Sequence, residues 1–190
     1  MPSAFLYTQV VSTGFAPNVE GGVLSFAVCA SRVRAAARPG DVVIGFASRG
    51  EYGNGQPGHI MFWFLVEETV PLNKYYRNNG KWSSRKDNLY EIVQAPERWR
   101  NLPHPYDTPW ALRHRAKVTM HNVGPPKFRN AVQHLDRIGK VLLARQHFFN
   151  GSVGDTIYTK MRPPRRGHKT LRMTVTQRDH LVKALEQSKR

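Results

Sequence analysis

Cysteine is almost missing from this chain of 190 residues, with Cys29 the only one. A lone cysteine excludes an internal disulfide framework and a multi-cysteine zinc site. Long hydrophobic runs are missing too. The longest, Ile60 to Val66 (IMFWFLV), falls far short of the roughly 20 residues that span a bilayer. No basic segment precedes the apolar start MPSAFLYTQVV, so no secretory leader is expected and the expected location is cytoplasmic, away from membranes. There is no P-loop and no HExxH, which leaves nucleotide kinase chemistry unsupported. His104, His114, His121, His134 and His147 show no close ligand spacing, so no metal is expected. Acidic residues are scarce: 13 Asp and Glu stand against 29 Lys and Arg, a formal charge of +16.

What is present is enough for a folded domain. Hydrophobic residues make up 40% and aromatics 11%, which supports a packed core and one domain over residues 1–190. The charge is the field of a protein that attracts polyanions, with nucleic acid the first partner to consider. It is uneven. Residues 160–190 hold ten Lys and Arg and two Asp and Glu, a net +8 and half of the total. Proline, glycine, histidine and apolar residues interrupt this stretch, unlike a plain disordered lysine tail.

The pattern predicts strands at Phe5–Val11, Val23–Cys29 and Val42–Phe46, a long apolar strand at His59–Val70, and another at Lys140–Phe149. Helices are expected at Ser31–Arg38, Leu72–Arg77, Phe128–Gly139 and from Thr176 onward, the last through a Thr176-x-x-Asp179 capping box. Ser12–Gly22, Asn78–Lys86 and Pro96–Pro109 are rich in turn formers and read as loops. The fold class is α+β: a small curved, mostly antiparallel sheet or barrel with peripheral helices and a C-terminal helix.

Candidate site residues fall in four places. Phe15 and Asn18 lie on a loop tightened by Gly14 and Pro17, facing a ligand or closing a turn on the chain's own backbone. Arg32 and Arg34, two apart on a short helix, cannot share a face, and Arg32 is the one expected in a site. Cys29, nearby, is a nucleophile if Arg32 lowers its pKa and a core residue if its strand buries it. Asp87, Asn88 and Tyr90 bring a carboxylate, an amide and a ring into four residues, suited to a base edge, to proton transfer or to an Asx turn. Arg166, His168 and Lys169 flank Gly167, where the backbone allows close approach, and offer phosphate contacts or proton transfer.

Several of these segments carry a resemblance. Gly14–Asn18, Cys29–Arg34, Arg38–Gly45, His147–Gly151 and Arg166–Lys169 together resemble the second of the nucleotide-modification-associated domain families, proteins of bacteria and phages linked to hypermodification of DNA bases. The helix ending in Pro-Gly-Asp and the strands after it are similar to the core of PUA-like domains such as the EVE and ASCH families. The resemblance implies a PUA-like protein that binds nucleic acid, DNA in preference, or a modified nucleotide. It names no cofactor. It leaves open whether the chain transfers a group onto a base, with His168 or Asp87 as proton acceptor, or only reads the base. A basic accessory protein that binds phosphates alone is the remaining alternative. Under the site reading, Asn18, Arg32, Asp87 and His168 converge on one pocket.

Overall fold

Val42–Ala47 and His59–Leu65 are apolar at nearly every position, the signature of strands buried on both faces rather than one. In the computed structural model they are neighbouring central strands. The structure describes residues 1–9, 17–27, 31–47, 59–75, 80–85, 87, 90–93, 98–101, 140–149, 157–158, 164 and 168–187. In chain order the strands are β1 (Ser3–Gln9), β2 (Asn18–Glu20), β3 (Val23–Phe26), β4 (Val42–Ala47), β5 (His59–Leu65), β6 (Glu68–Pro71), β7 (Tyr90–Val93), β8 (Arg98–Asn101), β9 (Lys140–Ala144), β10 (His147–Phe149), β11 (Ile157–Tyr158) and β12 (His168–Arg172). The helices are α1 (Ser31–Ala36), α2 (Leu72–Tyr75) and α3 (Val175–Gln187).

The first sheet runs β10-β5-β4-β1-β12, with β11 also on β5, and the second runs β2-β3-β9-β6. Among the described residues β7 and β8 pair only with each other, and all pairings are antiparallel except β1 with β4. Between the sheets lies one core, in which Phe5, Val43, Phe62 and Phe64 meet Leu24, Phe26, Leu142 and Ala144, with Val33 and Ala37 from the α1 segment. On the other face of the first sheet, Ala4, Leu6, Val42, Ile44 and Trp63 pack against Val182 and Leu185 of α3. The layers are therefore α3, first sheet, second sheet.

Two expected long strands each prove to be two. His59–Val70 breaks after Leu65 and Lys140–Phe149 breaks after Ala144, because each crosses from one sheet to the other at that point. Glu67 fastens the corner: its Oε1 accepts from the Arg145 and Gln146 amides at 2.7 and 3.0 Å, and its Oε2 accepts from Arg145 Nη1 at 3.1 Å. Burial alone would raise this carboxyl's pKa, but the two amides and the guanidinium outweigh it and hold the value below the ordinary one. The sheets stay open and do not close into a barrel, which corrects the barrel and leaves the sheet alternative of the expected fold.

Local chemistry accounts for further corrections. The expected loop Ser12–Gly22 contains β2, because Gly21 and Gly22 adopt φ of 58° and 72° and turn the chain in a two-residue hairpin with Glu20 opposite Val23. β8 forms within the expected loop Pro96–Pro109. The capping box of α3 lies one step earlier than the pattern indicated: Gln177 N donates to Thr174 Oγ1 at 3.2 Å and Thr174 N donates to Gln177 Oε1 at 2.8 Å. Asp179 instead binds Arg178 at 2.7 Å. The expected helix Phe128–Gly139 and Cys29 lie outside the described residues. No helix among the described residues is long and apolar enough to cross a membrane.

Candidate functional site: a buried polar network on the second sheet

Side chains alternate along a strand. Leu24 and Phe26 of β3 point into the core between the sheets, so Ser25 points the other way. Its antiparallel partner is Asn18 of β2, which shares that outer face. Over this face come Tyr75, at the end of α2, residues 80–85 and Asp87. Turn bonds tie residues 80–85 together, Ser83 N to Gly80 O at 3.0 Å and Arg85 N to Trp82 O at 3.2 Å. Trp82 stacks on Tyr75, with ring centroids 5.9 Å apart.

Asp87 is the hub, only 1% exposed. Its Oδ1 accepts from the Tyr75 hydroxyl at 2.7 Å and from Asn18 Nδ2 at 3.2 Å, and its Oδ2 lies 2.6 Å from Ser25 Oγ. Arg85 Nε stands 3.5 Å from Oδ1. The rest of that guanidinium ties down the β2-β3 hairpin, with Nη1 donating to Glu20 O at 3.1 Å and Nη2 to Val23 O at 2.9 Å and to Ser25 Oγ at 3.0 Å. A buried charge needs such partners, since an unpaired one in this setting is costly.

The electrostatics follow from burial. Burial pushes the Asp87 carboxyl above the ordinary carboxylate range, against the opposing pull of the Ser25 and Tyr75 hydrogen bonds and the Arg85 charge. Tyr75 is raised as well, first by burial and then by the charge of Asp87, so it stays a neutral phenol donor. Ser25 has one hydroxyl proton and two acceptors within reach, Asp87 Oδ2 at 2.6 Å and Asn18 O at 3.3 Å. A protonated Asp87 donates to Ser25 and frees the serine proton for Asn18 O, while an ionised Asp87 takes it back. The network can therefore hold or release one proton by turning one hydroxyl.

Of the residues singled out in the sequence, the structure brings Asn18 and Asp87 into contact. Arg32 is exposed on α1 and has no bond to the network, whereas Arg34 is buried and donates to Lys140 O at 3.3 Å. His168 lies on β12 at the edge of the first sheet, opposite Tyr7. Tyr7 packs on Phe26, on the inner face of the second sheet, so that sheet stands between His168 and Asp87. Lys169, exposed, pairs with Leu6 on the opposite face of β12. The expected convergence thus unites Asn18 with Asp87 and leaves Arg32 and His168 elsewhere. Tyr90 begins β7; its side chain, Phe15, Asn88 and Arg166 lie outside what is described.

Sequence reasoning missed Ser25, Tyr75 and Arg85. Only Ser25 left a signal, as the one polar residue of VLSF. Among the described residues no group of three or more His, Cys, Asp or Glu could hold a metal ion.

Neither the curated proteins nor the solved structures hold a match to this chain. One family model does match, and it accords with the segments quoted above for the resemblance. That family is described as nucleotide modification associated domain 2, and its match over residues 1–190 places this chain within it.

Proposed function

We propose that the chain serves nucleotide modification by binding nucleic acid, DNA in preference, or a modified nucleotide over the outer face of the second sheet, with the Asp87 network as its chemical centre. The observation that carries this reading is the Asp87 carboxyl itself, sealed from water, raised in pKa and bonded to side chains from three other segments. Such perturbed groups concentrate at functional sites. Asp87 is the group whose proton affinity burial raises, Asn18 and Ser25 are bonded to it, and Trp82, half-buried above Tyr75, offers a ring near the same face. Phe15, Asn88, Tyr90 and Arg166 belong to this proposal as substrate contacts, and Arg32, Lys169 and His168 as outlying basic contacts. The net charge of +16 draws the polyanion in.

A second reading is favoured by one specific observation: an acid 1% exposed is better placed to organise a binding surface than to meet a substrate atom. On that reading the chain recognises a modified base without transforming it, in the manner of EVE domains.

The test is nucleoside analysis of DNA from the cell that carries the gene, with wild type, deletion and Asp87→Asn compared. Deletion should remove a modified nucleoside. If Asp87 transfers the proton, Asp87→Asn should lower the product by about 10²–10⁴-fold with nucleoside binding retained. If the site is a reader, binding weakens instead. Unchanged nucleoside composition after deletion would end the modification reading altogether.

A further inference from the structure

Away from the Asp87 network, where β1, β4 and β12 begin or end, the structure holds a cleft of about 620 Å³. Its walls come from the start of the chain, the turn after α1, the end of β12 and the first turn of α3. Three arginines line it, Arg38, Arg172 and Arg178, against one carboxylate, Asp41. That carboxylate is already engaged: Oδ1 accepts from Ser3 N at 2.7 Å and Oδ2 from Arg38 N at 2.8 Å. Asp41 thus fixes the backbone of the cleft and leaves the Arg38 guanidinium outside its two hydrogen bonds. Arg178 is held by Asp179 at 2.7 Å and reaches Gly40 O at 3.4 Å, forming a wall. Arg38 and Arg172 are exposed, and neither guanidinium has a partner among the described residues.

Register extends the site. Ser3 lies opposite Arg172, Phe5 opposite Thr170 and Tyr7 opposite His168, so Arg172, Thr170 and His168 share one face of β12. Residues two apart on a strand are about 6.8 Å apart. β12 is an edge strand, which leaves this row a cation, a hydroxyl and an imidazole in line, leading from the cleft along the rim of the sheet.

We propose that the cleft seats a phosphate of a polynucleotide backbone on Arg38 and Arg172, and that Thr170 and His168 guide the adjoining backbone. This rests on the nucleotide-modification reading and extends it. Planar guanidinium forks suit phosphate oxygens geometrically as well as electrostatically. Backbone contacts set register and orientation without reading sequence, the task left over when base contacts lie elsewhere.

Binding of a duplex oligonucleotide by the full chain, followed by fluorescence anisotropy across a salt series, tests this. Each phosphate neutralised contributes a slope of about −0.9 in log K against log salt. The double variant Arg38→Gln/Arg172→Gln should lose about 2 from the slope, equally on two unrelated sequences. Lys183→Gln, which removes a charge from an exposed position on α3, should lose much less than Arg172→Gln alone. Both arginines are exposed, so the variants should keep the wild-type circular dichroism. An unchanged slope in a double variant whose wild type binds overturns the cleft and spares the functional reading. No duplex binding by the wild type overturns the cleft and the nucleic-acid arm of the functional reading, leaving the modified nucleotide alone. Weakened binding of a free nucleoside triphosphate with polynucleotide affinity intact overturns the backbone assignment.

Discussion

Asp87→Ala should cost about 3–5 kcal/mol of folding stability, because it strips the counter-ion from a buried guanidinium. Arg85 is 8% exposed, and its bonds to Glu20, Val23 and Ser25 hold the guanidinium in place. The Tyr75 hydroxyl and Asn18 Nδ2 lose their common acceptor in the same step. Since domains of this kind are stable by only about 5–15 kcal/mol, much of the total would go. Asp87→Asn keeps an oxygen for Tyr75 and Asn18 and should cost about 1–3 kcal/mol, the range for one imperfectly satisfied polar group. Urea unfolding of the three proteins gives the comparison. A loss under about 1 kcal/mol for Asp87→Ala would mean that Arg85 finds water or another partner, and that the network is looser than its distances indicate.

Gly45→Ala should be the next most damaging change. Gly45 lies directly opposite Phe62 in the β4-β5 register, just before a register shift. The Phe62 ring occupies the space that a Cβ on Gly45 would fill. That ring cannot swing away cheaply: it is fully buried and packs on Phe26 and Phe64, with centroids 5.8 and 6.2 Å away. Overpacking of this sort typically costs about 1–3 kcal/mol, and more where the neighbours are rigid. The same substitution in a Phe62→Leu background should cost less, giving a coupling of about 0.5–3 kcal/mol in a double-mutant cycle. Strict additivity would show that the cost does not come from the ring.

How much of this was legible in the sequence depends on the range of the interaction. β4, α1 and the hydrophobic stripe of α3 are set by neighbours within one turn or one strand, and their residue patterns announced them. The sheet-switching corners were not legible, because IMFWFLV followed by Glu67 and Glu68 looks like continuous strand until Glu67 meets the amides of Arg145 and Gln146, far along the chain. The site divides in the same way. Asn18 and Asp87 stood out as polar residues among turn formers, but nothing local says that they touch. Ser25 acquires its meaning through Asp87 and Arg85 through the carbonyl of Val23, partners 62 residues away in each case. His168 and Arg32 were drawn to the same pocket by their chemistry, but the second sheet stands between His168 and Asp87, and Arg32 lies exposed on α1 with no bond to the network.

The account turns on one group, the Asp87 carboxyl, and a carbon-13 titration of aspartate side chains, assigned with Asp87→Asn, reads it directly. The folded protein should show Asp87 titrating above the ordinary aspartate value of about 3.9. Linkage gives the accompanying sign. A carboxyl that holds its proton more tightly when folded contributes stability that is fully present below the unfolded pKa and is lost as pH rises through the folded one. Wild type should therefore lose stability relative to Asp87→Asn across that window. Titration at or below the ordinary value, with no such difference between the two proteins, would show that the Arg85 charge and the Ser25 and Tyr75 hydrogen bonds outweigh burial, and that Asp87 has no raised proton affinity to put to use.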